Sequence, residues 1–377
     1  MLDPNFFLEN LLKNEIHFFT GVPDSLLKHF CASLTNAISA TNHIINCNEG
    51  AALALASGYH LATNKIPLVY LQNSGLGNLI NPYLSLTHPR VYRIPILYLI
   101  GWRGEPNIKD EPQHLAQGAC TTQILEAIGA SYDILNADTA QIEDLISLRI
   151  NEIQQRQLSH FFLVQKNTFS APKQETNPIE KKFELTSRSA IELVLTQLPY
   201  PVHVVASTGM ISRELSDFRE KTEQSHKFDF LNIGAMGYCS QIALGIALQK
   251  PHKKILCLDG DGSLLMHMGN LAILGAHSPK NLIHILLNNE VHNSVGGQAT
   301  VANKIDFCKL AQACGYKVAD KIDNAKDLIN LIDLIKNKDG PIFLEIKINP
   351  GNSSNLSRPA SNPLDYKNLF MKCLLND

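Results

Sequence analysis

Gly260-Asp261-Gly262-Ser263 closes one apolar run of the chain, and Asn288-Asn289 closes the next. Between them lies a helix-like stretch. A carboxylate on one loop and a side-chain amide on the following loop are hard oxygen ligands, and flexible glycines beside them leave backbone N–H groups free. A divalent metal sharing its octahedral shell with a diphosphate and water needs such a set, which makes Asp261 and Asn289 metal-ligand candidates. The amides of Gly262 and Ser263, opening a helix, would face the diphosphate. Gly-Asp-Gly is also a good turn sequence, so its surroundings must decide.

Those surroundings read as a βαβ unit. Ile255 to Leu258 and Leu282 to Leu287 are short apolar runs of the kind buried in parallel sheets. Leu264, Met268, Leu271 and Gly275 recur at helical spacing, and Ser278-Pro279 ends that helix. Both loops then meet at the carboxyl edge of one sheet, where open α/β folds bind ligands.

A second carboxylate stands in the first half of the chain. Asn48-Glu49-Gly50-Ala51-Ala52 follows the strand candidate Ile44-Ile45, and Glu49 opens a helix whose small residues permit close packing. Glu49 there either complements the helix dipole or does chemistry. Gly234-Ala235-Met236-Gly237-Tyr238 places a methionine between glycines, either as gap-filling core or as a prop beneath a ligand.

Taken together, these segments resemble the motifs of the thiamine-diphosphate-dependent enzymes. The resemblance implies that Asp261, Asn289 and the carbonyl of Val291 ligate Mg2+. Gly260, Gly262 and Ser263 belong to the same diphosphate cradle. It implies that Glu49 hydrogen-bonds the cofactor aminopyrimidine and activates the thiazolium, and that Gly234 and Met236 hold the bent cofactor. In this family the glutamate and the diphosphate loop of one site usually come from different subunits, so a homodimer or homotetramer with the site at the interface is implied.

Larger members carry a third domain between the two catalytic ones, and this chain has no room for it. That absence, with Thr20 to Leu27, Asn73 to Asn78, Gly101 to Gly104, Asp110 to His114, Ser207 to Gly209 and Ser294 to Gln298, narrows the resemblance to the compact decarboxylases acting on phosphonopyruvate or sulfopyruvate. A single fused chain favours the phosphonate branch; the sulfonate branch and a catalytically silent cofactor-binding subunit are the alternatives. Either substrate is a small anionic 2-oxo acid and needs cationic or N–H-rich partners. Arg103, Lys109 and His114 lie in a polar loop suited to substrate recognition or a mobile lid. For Lys109 a solvated surface is the favoured reading. His114 is a candidate proton donor or substrate ligand. Asp24 is an acid–base candidate or the cap of a helix starting near Ser25. Ser294 and Gly296 could present N–H groups to the anionic head.

The elements that must position these residues alternate strand and helix on both sides of a polar, proline-containing stretch. Two doubly wound parallel α/β domains follow, at 1–169 and 186–377, joined by a linker at 170–185 and lacking a middle domain. Strands are expected at His17 to Phe19, Ile44-Ile45, Leu68 to Leu71, Ile94 to Ile100, Phe161 to Val164, Val202 to Ala206, Ile255 to Leu258, Leu282 to Leu287 and Ile342 to Ile346. The 377 residues suit two cores, and 45% hydrophobic with 18% charged residues describe a globular chain. A net charge of −2 offers no basic field for nucleic acid. Ile94 to Ile100 is too short to cross a membrane, and the first fifteen residues read as an amphipathic helix and not as a signal peptide. Eight cysteines without a CxxC pair or zinc spacing are expected to be mostly buried thiols in a reducing cytoplasm. Gly75-Leu76-Gly77 lacks the third glycine of a dinucleotide fingerprint, Ile80 standing in its place.

Overall fold

The computed structural model describes residues 1–171, 182–198, 201–351, 356 and 362–375. It divides into two compact units, one of residues 1–177 with Ser294–Gln298 and one of the remainder of 178–377. Most of the expected linker, 172–181, lies outside the described residues. Its flanks are tied down: Leu2 bridges Phe169, and Phe183 N–H donates to Asn349 Oδ1 at 2.8 Å.

Each unit is built on a six-stranded sheet in which every strand pair is parallel. In the first unit the strands are β1 (Phe19–Gly21), β2 (His43–Ile45), β3 (Leu68–Gln72), β4 (Leu97–Gly101), β5 (Ser131–Leu135) and β6 (His160–Val164), in spatial order β2-β1-β3-β4-β6-β5. In the second they are β7 (His203–Ala206), β8 (Asp229–Leu231), β9 (Ile255–Gly260), β10 (Leu282–Asn288), β11 (Val318–Ile322) and β12 (Ile342–Lys347), in order β8-β7-β9-β10-β12-β11. Numbered within each unit, both orders are 2-1-3-4-6-5. The two halves share one topology although no repeated sequence connects them.

The central strands are buried on both faces, as β4, β6 and β10 show at every position. Continuous apolar runs such as Leu97 to Ile100 satisfy two helix layers at once, which is why they are legible as strands. The three strands absent from the sequence expectation, β5, β8 and β11, are all edge strands. Their alternation is polar or interrupted: Ser-Tyr-Asp-Ile-Leu and Val-Ala-Asp-Lys-Ile are mostly half-buried or exposed. An edge strand packs on fewer neighbours and needs less hydrophobicity.

Several local expectations are corrected. The helix expected after Ser263 is two helices, Asp261–Met266 and Asn270–His277. His267 leaves helical geometry at φ −136°, its ring lies tilted against Tyr238 with centroids 4.4 Å apart, and Met268 is exposed. The helix expected near Ser25 starts at Lys28. Of the eight cysteines only Cys31, Cys239 and Cys257 are buried; Cys47, Cys120, Cys308, Cys314 and Cys373 are half-buried, and all are free thiols. The first helix, Pro4–Lys13, is capped by Asp3, whose carboxylate accepts from Asn5 N–H. A last helix runs Pro363–Leu375. Among the described residues no helix is long and apolar enough to cross a membrane.

Candidate active site

In the first unit the candidate residues sit on loops at the carboxyl ends of β1 to β4. Asn48 caps the helix Glu49–Thr63, its Oδ1 accepting from the N–H groups of Gly50 and Ala51. The cap fixes Glu49 as the first helical residue, 4% exposed. Asn78 Nδ2 donates to Glu49 Oε2 at 2.7 Å. Burial pushes the Glu49 carboxyl above its ordinary value, and the Asn78 bond opposes that rise. A β-carbon at Gly75 would collide with the Glu49 carboxylate, so glycine there is what lets the acid lie flat against the loop after β3.

Asp24, fully buried, repeats this arrangement one strand away. Gln72 Nε2 donates to its Oδ1 at 2.6 Å, Leu26 N–H to its Oδ2 at 2.8 Å, and Gly101 leaves the space its carboxylate occupies. Burial raises its pKa; Gln72, Leu26 and Arg103 work against the rise. Asp24 shapes the turn into the following helix but is not its N-cap, which is Leu27. Ser74 Oγ donates to Gln72 Oε1 at 2.7 Å and extends the network toward Gly75.

Arg103 is half-buried and heavily engaged. Its Nε donates to Asp110 Oδ2 at 2.8 Å, its Nη2 to Asp110 Oδ1, and its Nη1 to Ser25 Oγ at 2.7 Å. Lys109 is exposed. His114 is the third residue of the helix Pro112–Ala127. Its Nδ1 is buried without a hydrogen-bond partner, and burial together with the neighbouring Arg103 lowers its pKa to about 4. The imidazole is therefore neutral at physiological pH.

In the second unit, register explains why two distant motifs meet. β9 and β10 pair with Asp259 beside Leu286 and Gly260 beside Leu287, so the loops carrying Asp261 and Asn289 leave the sheet side by side. The Asn289 N–H lies close enough to the Asp261 carboxylate to lower its pKa. Asp261 is 3% exposed and has no ion-pair partner among the described residues. Its Oδ2 accepts from Thr300 Oγ1 at 2.6 Å, and burial pushes its pKa up to about 6. A buried carboxylate with one hydroxyl donor and no compensating cation is a fitting place for a divalent metal. Asn289 Oδ1 accepts from Val291 N–H at 3.1 Å, and the Val291 carbonyl from Asn293 N–H at 3.0 Å. Each oxygen keeps a second lone pair for a cation. Among the described residues no group of three or more His, Cys, Asp or Glu side chains is placed to hold a metal.

Ser263 knits this loop to its neighbours. Its Oγ accepts from Ser207 Oγ at 3.0 Å and from Gly237 N–H at 3.1 Å. Asn232 holds the turn at Gly234 and Ala235, its Oδ1 accepting from both N–H groups at 3.3 and 3.1 Å. Met236, half-buried, points its methyl toward Gly262: a β-carbon there would stand 3.5 Å from Cε and 3.2 Å from Nδ1 of His292. Ser294 and Gly296 are exposed, and Gln298 beside them is buried.

Sequence reasoning named the carboxylates but gave no role to the side chains that hold them. Asn78 and Ser25 lie within the segments Asn73 to Asn78 and Thr20 to Leu27 without a stated part, and Gln72, Thr300 and His292 lie in no segment singled out. Thr300 lies 39 positions from Asp261, and only the antiparallel bridge Val291–Ala299, which folds the loop back, brings it near.

Two regions of the chain match known family domains: residues 5–125 match the N-terminal TPP binding domain of thiamine pyrophosphate enzymes, and residues 207–346 the C-terminal one. The chain belongs to the thiamine pyrophosphate enzymes. Among its relatives are phosphonopyruvate decarboxylases of Streptomyces viridochromogenes, 34% identical over 93% of this chain and 89% of that one, and of Streptomyces hygroscopicus, 33% identical over 93% and 88%. A sulfopyruvate decarboxylase of Methanosarcina acetivorans is 30% identical over 83% of each chain. Within the thiamine pyrophosphate enzymes the chain therefore groups with the 2-oxo acid decarboxylases, which are carbon–carbon lyases, and thiamine diphosphate is its cofactor.

Proposed function

We propose that this protein decarboxylates 3-phosphonopyruvate to phosphonoacetaldehyde and carbon dioxide with Mg2+ as the second cofactor, a step of phosphonate biosynthesis in the cytoplasm. The observation that carries the substrate is the match over nearly the whole chain to two phosphonopyruvate decarboxylases.

Thiamine diphosphate supplies the nucleophilic carbon and the electron sink for loss of carbon dioxide. The chain's own groups divide the remaining work. Glu49, its Oε2 occupied by Asn78, has Oε1 to hold and release a proton at the aminopyrimidine. Burial raises its pKa, the direction that makes a carboxyl hold a proton more readily. Asp261, Asn289 and the Val291 carbonyl would hold the metal, with Gly260, Gly262 and Ser263 forming the diphosphate cradle and Gly234 and Met236 supporting the cofactor rings. Arg103 and His114 would bind the anionic head, with Ser294 and Gly296 offering further N–H groups. Neutral His114 can donate one hydrogen bond; it would return a proton to the product carbon only once a bound anionic head has raised its pKa, and Asp24 is the other candidate. The complete site forms between two copies of the chain, Glu49 from one and Asp261 from the other, in a dimer or tetramer.

Sulfopyruvate is the second reading, favoured by the Methanosarcina relative. The deciding experiment compares kcat/KM for phosphonopyruvate, sulfopyruvate and pyruvate with thiamine diphosphate and Mg2+ present. Preference for the phosphonate is expected; preference for the sulfonate would replace the substrate and keep the chemistry. Sedimentation equilibrium that finds a monomer in the active preparation would remove the interface assignment.

A further inference from the structure

The loop from Arg103 to Glu111 is organised around one carboxylate. Asp110 accepts from Arg103 Nε at 2.8 Å and from Arg103 Nη2, from Gly104 N–H at 2.7 Å and from Glu111 N–H at 2.8 Å. These four donors hold its pKa well below the usual carboxylate range. The other side of the guanidinium is fixed by Ser25, and the Arg103 backbone by Asn73, whose Oδ1 accepts the Arg103 N–H at 3.1 Å while its Nδ2 donates to the Arg103 carbonyl at 2.8 Å. Arg103 is thus held from both ends, at its side chain and at its backbone.

Closing the loop would need only the Gly104 N–H, six positions from Asp110. Burying a guanidinium against the same carboxylate adds a desolvation cost that loop closure does not require. What the ion pair accomplishes is aim. A guanidinium has five N–H groups in a fixed fork. Asp110 takes two and Ser25 one, which leaves one on each terminal nitrogen. Nearby, His114 Nδ1 is buried with no partner, and its imidazole senses both Arg103 and Asp110.

We propose that Asp110 is a positioning residue for substrate binding: it orients Arg103 so that the two remaining guanidinium N–H groups, with His114 Nδ1, take the anionic head of the 2-oxo acid. This rests on the reading that Arg103 and His114 contact the substrate. It assigns Asp110 and Ser25 a part in recognition, and it makes the head-group site a preset hydrogen-bond fork whose charge Asp110 already offsets.

A double-mutant cycle tests it, using Asp110→Asn, Arg103→Met (which keeps the stem packing) and the double variant. KM and kcat are measured with whichever of phosphonopyruvate and sulfopyruvate the wild type prefers, and thiamine diphosphate affinity is measured by calorimetry. Asp110→Asn should raise KM ~10- to 100-fold, the scale of one charged hydrogen-bonded contact, with a smaller change in kcat and unaltered cofactor affinity. In the Arg103→Met background the same change should add less than about twofold, because its effect passes through the arginine. A full Asp110→Asn effect in that background, an unchanged KM, or a loss of cofactor affinity would show a merely structural loop tie and overturn the proposal. A wild type inactive on both acids would overturn the substrate reading first, and is told apart by that control.

Discussion

The two sheets have the same strand order, 2-1-3-4-6-5, and carry their candidate residues after the same strands, yet the loops do opposite things. After the second, third and fourth strands of the first unit come Glu49, Gly75 and Arg103; after those of the second come Gly234, Asp261 and Asn289. In the first unit two buried carboxylates rest on glycines and are held by amide donors, which permit a proton to come and go. In the second, one buried carboxylate meets a hydroxyl and backbone N–H groups, with no cation paired to it among the described residues. A shared topology thus fixes where chemistry happens, at the carboxyl edge where crossovers diverge, while the loops fix which chemistry it is.

If the first unit handles protons and the second holds the cofactor, the largest effect belongs to Glu49→Gln. Carbon dioxide release should fall by ~10³-fold or more while thiamine diphosphate affinity by calorimetry stays within a few fold. Lost affinity with retained turnover would invert the comparison. Asp261→Asn should do the reverse and weaken Mg2+-dependent cofactor binding ~10²-fold, as removal of a buried charge partner does. Metal-independent binding in that variant would remove Asp261 from the metal site.

Thr300→Val takes away one hydroxyl donor from Asp261 and should weaken Mg2+-dependent cofactor binding ~5-fold, the worth of a single hydrogen bond. No change would show that Thr300 only packs. The smallest effect is on stability. Because the folded protein raises the Glu49 pKa by burial, ionising it opposes folding above that pKa, and the cost is absent below the unfolded value. Glu49→Gln should therefore raise the melting temperature of the cofactor-free protein at pH 7, by ~2–4 °C for about 1 kcal/mol, with the gain fading toward pH 4. A gain that is the same at pH 4 and pH 7 would mean that the carboxylate is not strained by burial.

Central strands and both principal carboxylates were legible because their signals are local. A strand buried on two faces must be continuously apolar, as Ile255 to Leu258 is, and a carboxylate between glycines at its end has few structural reasons to be there. Three of the four edge strands were not legible, β2 at Ile44-Ile45 being the exception, since β5 and β11 satisfy one neighbour and tolerate polar residues. Nor was the break at His267, whose ring meets that of Tyr238 from another loop.

By itself the sequence determined that the chain is two parallel α/β domains, that it carries a Gly-Asp-Gly and Asn-Asn pair one βαβ unit apart, and that Glu49 opens a helix. Each follows from periodicity or spacing within about thirty residues. Tertiary structure decided that the two sheets share one strand order, that Gly75 and Gly101 seat the two buried acids, that Thr300 reaches Asp261, and that Asp110 and Ser25 grip Arg103 from both sides. These are contacts across 7 to 78 positions, closed by strand register and loop packing. No local pattern encodes them, because their partners meet only once the sheets have formed.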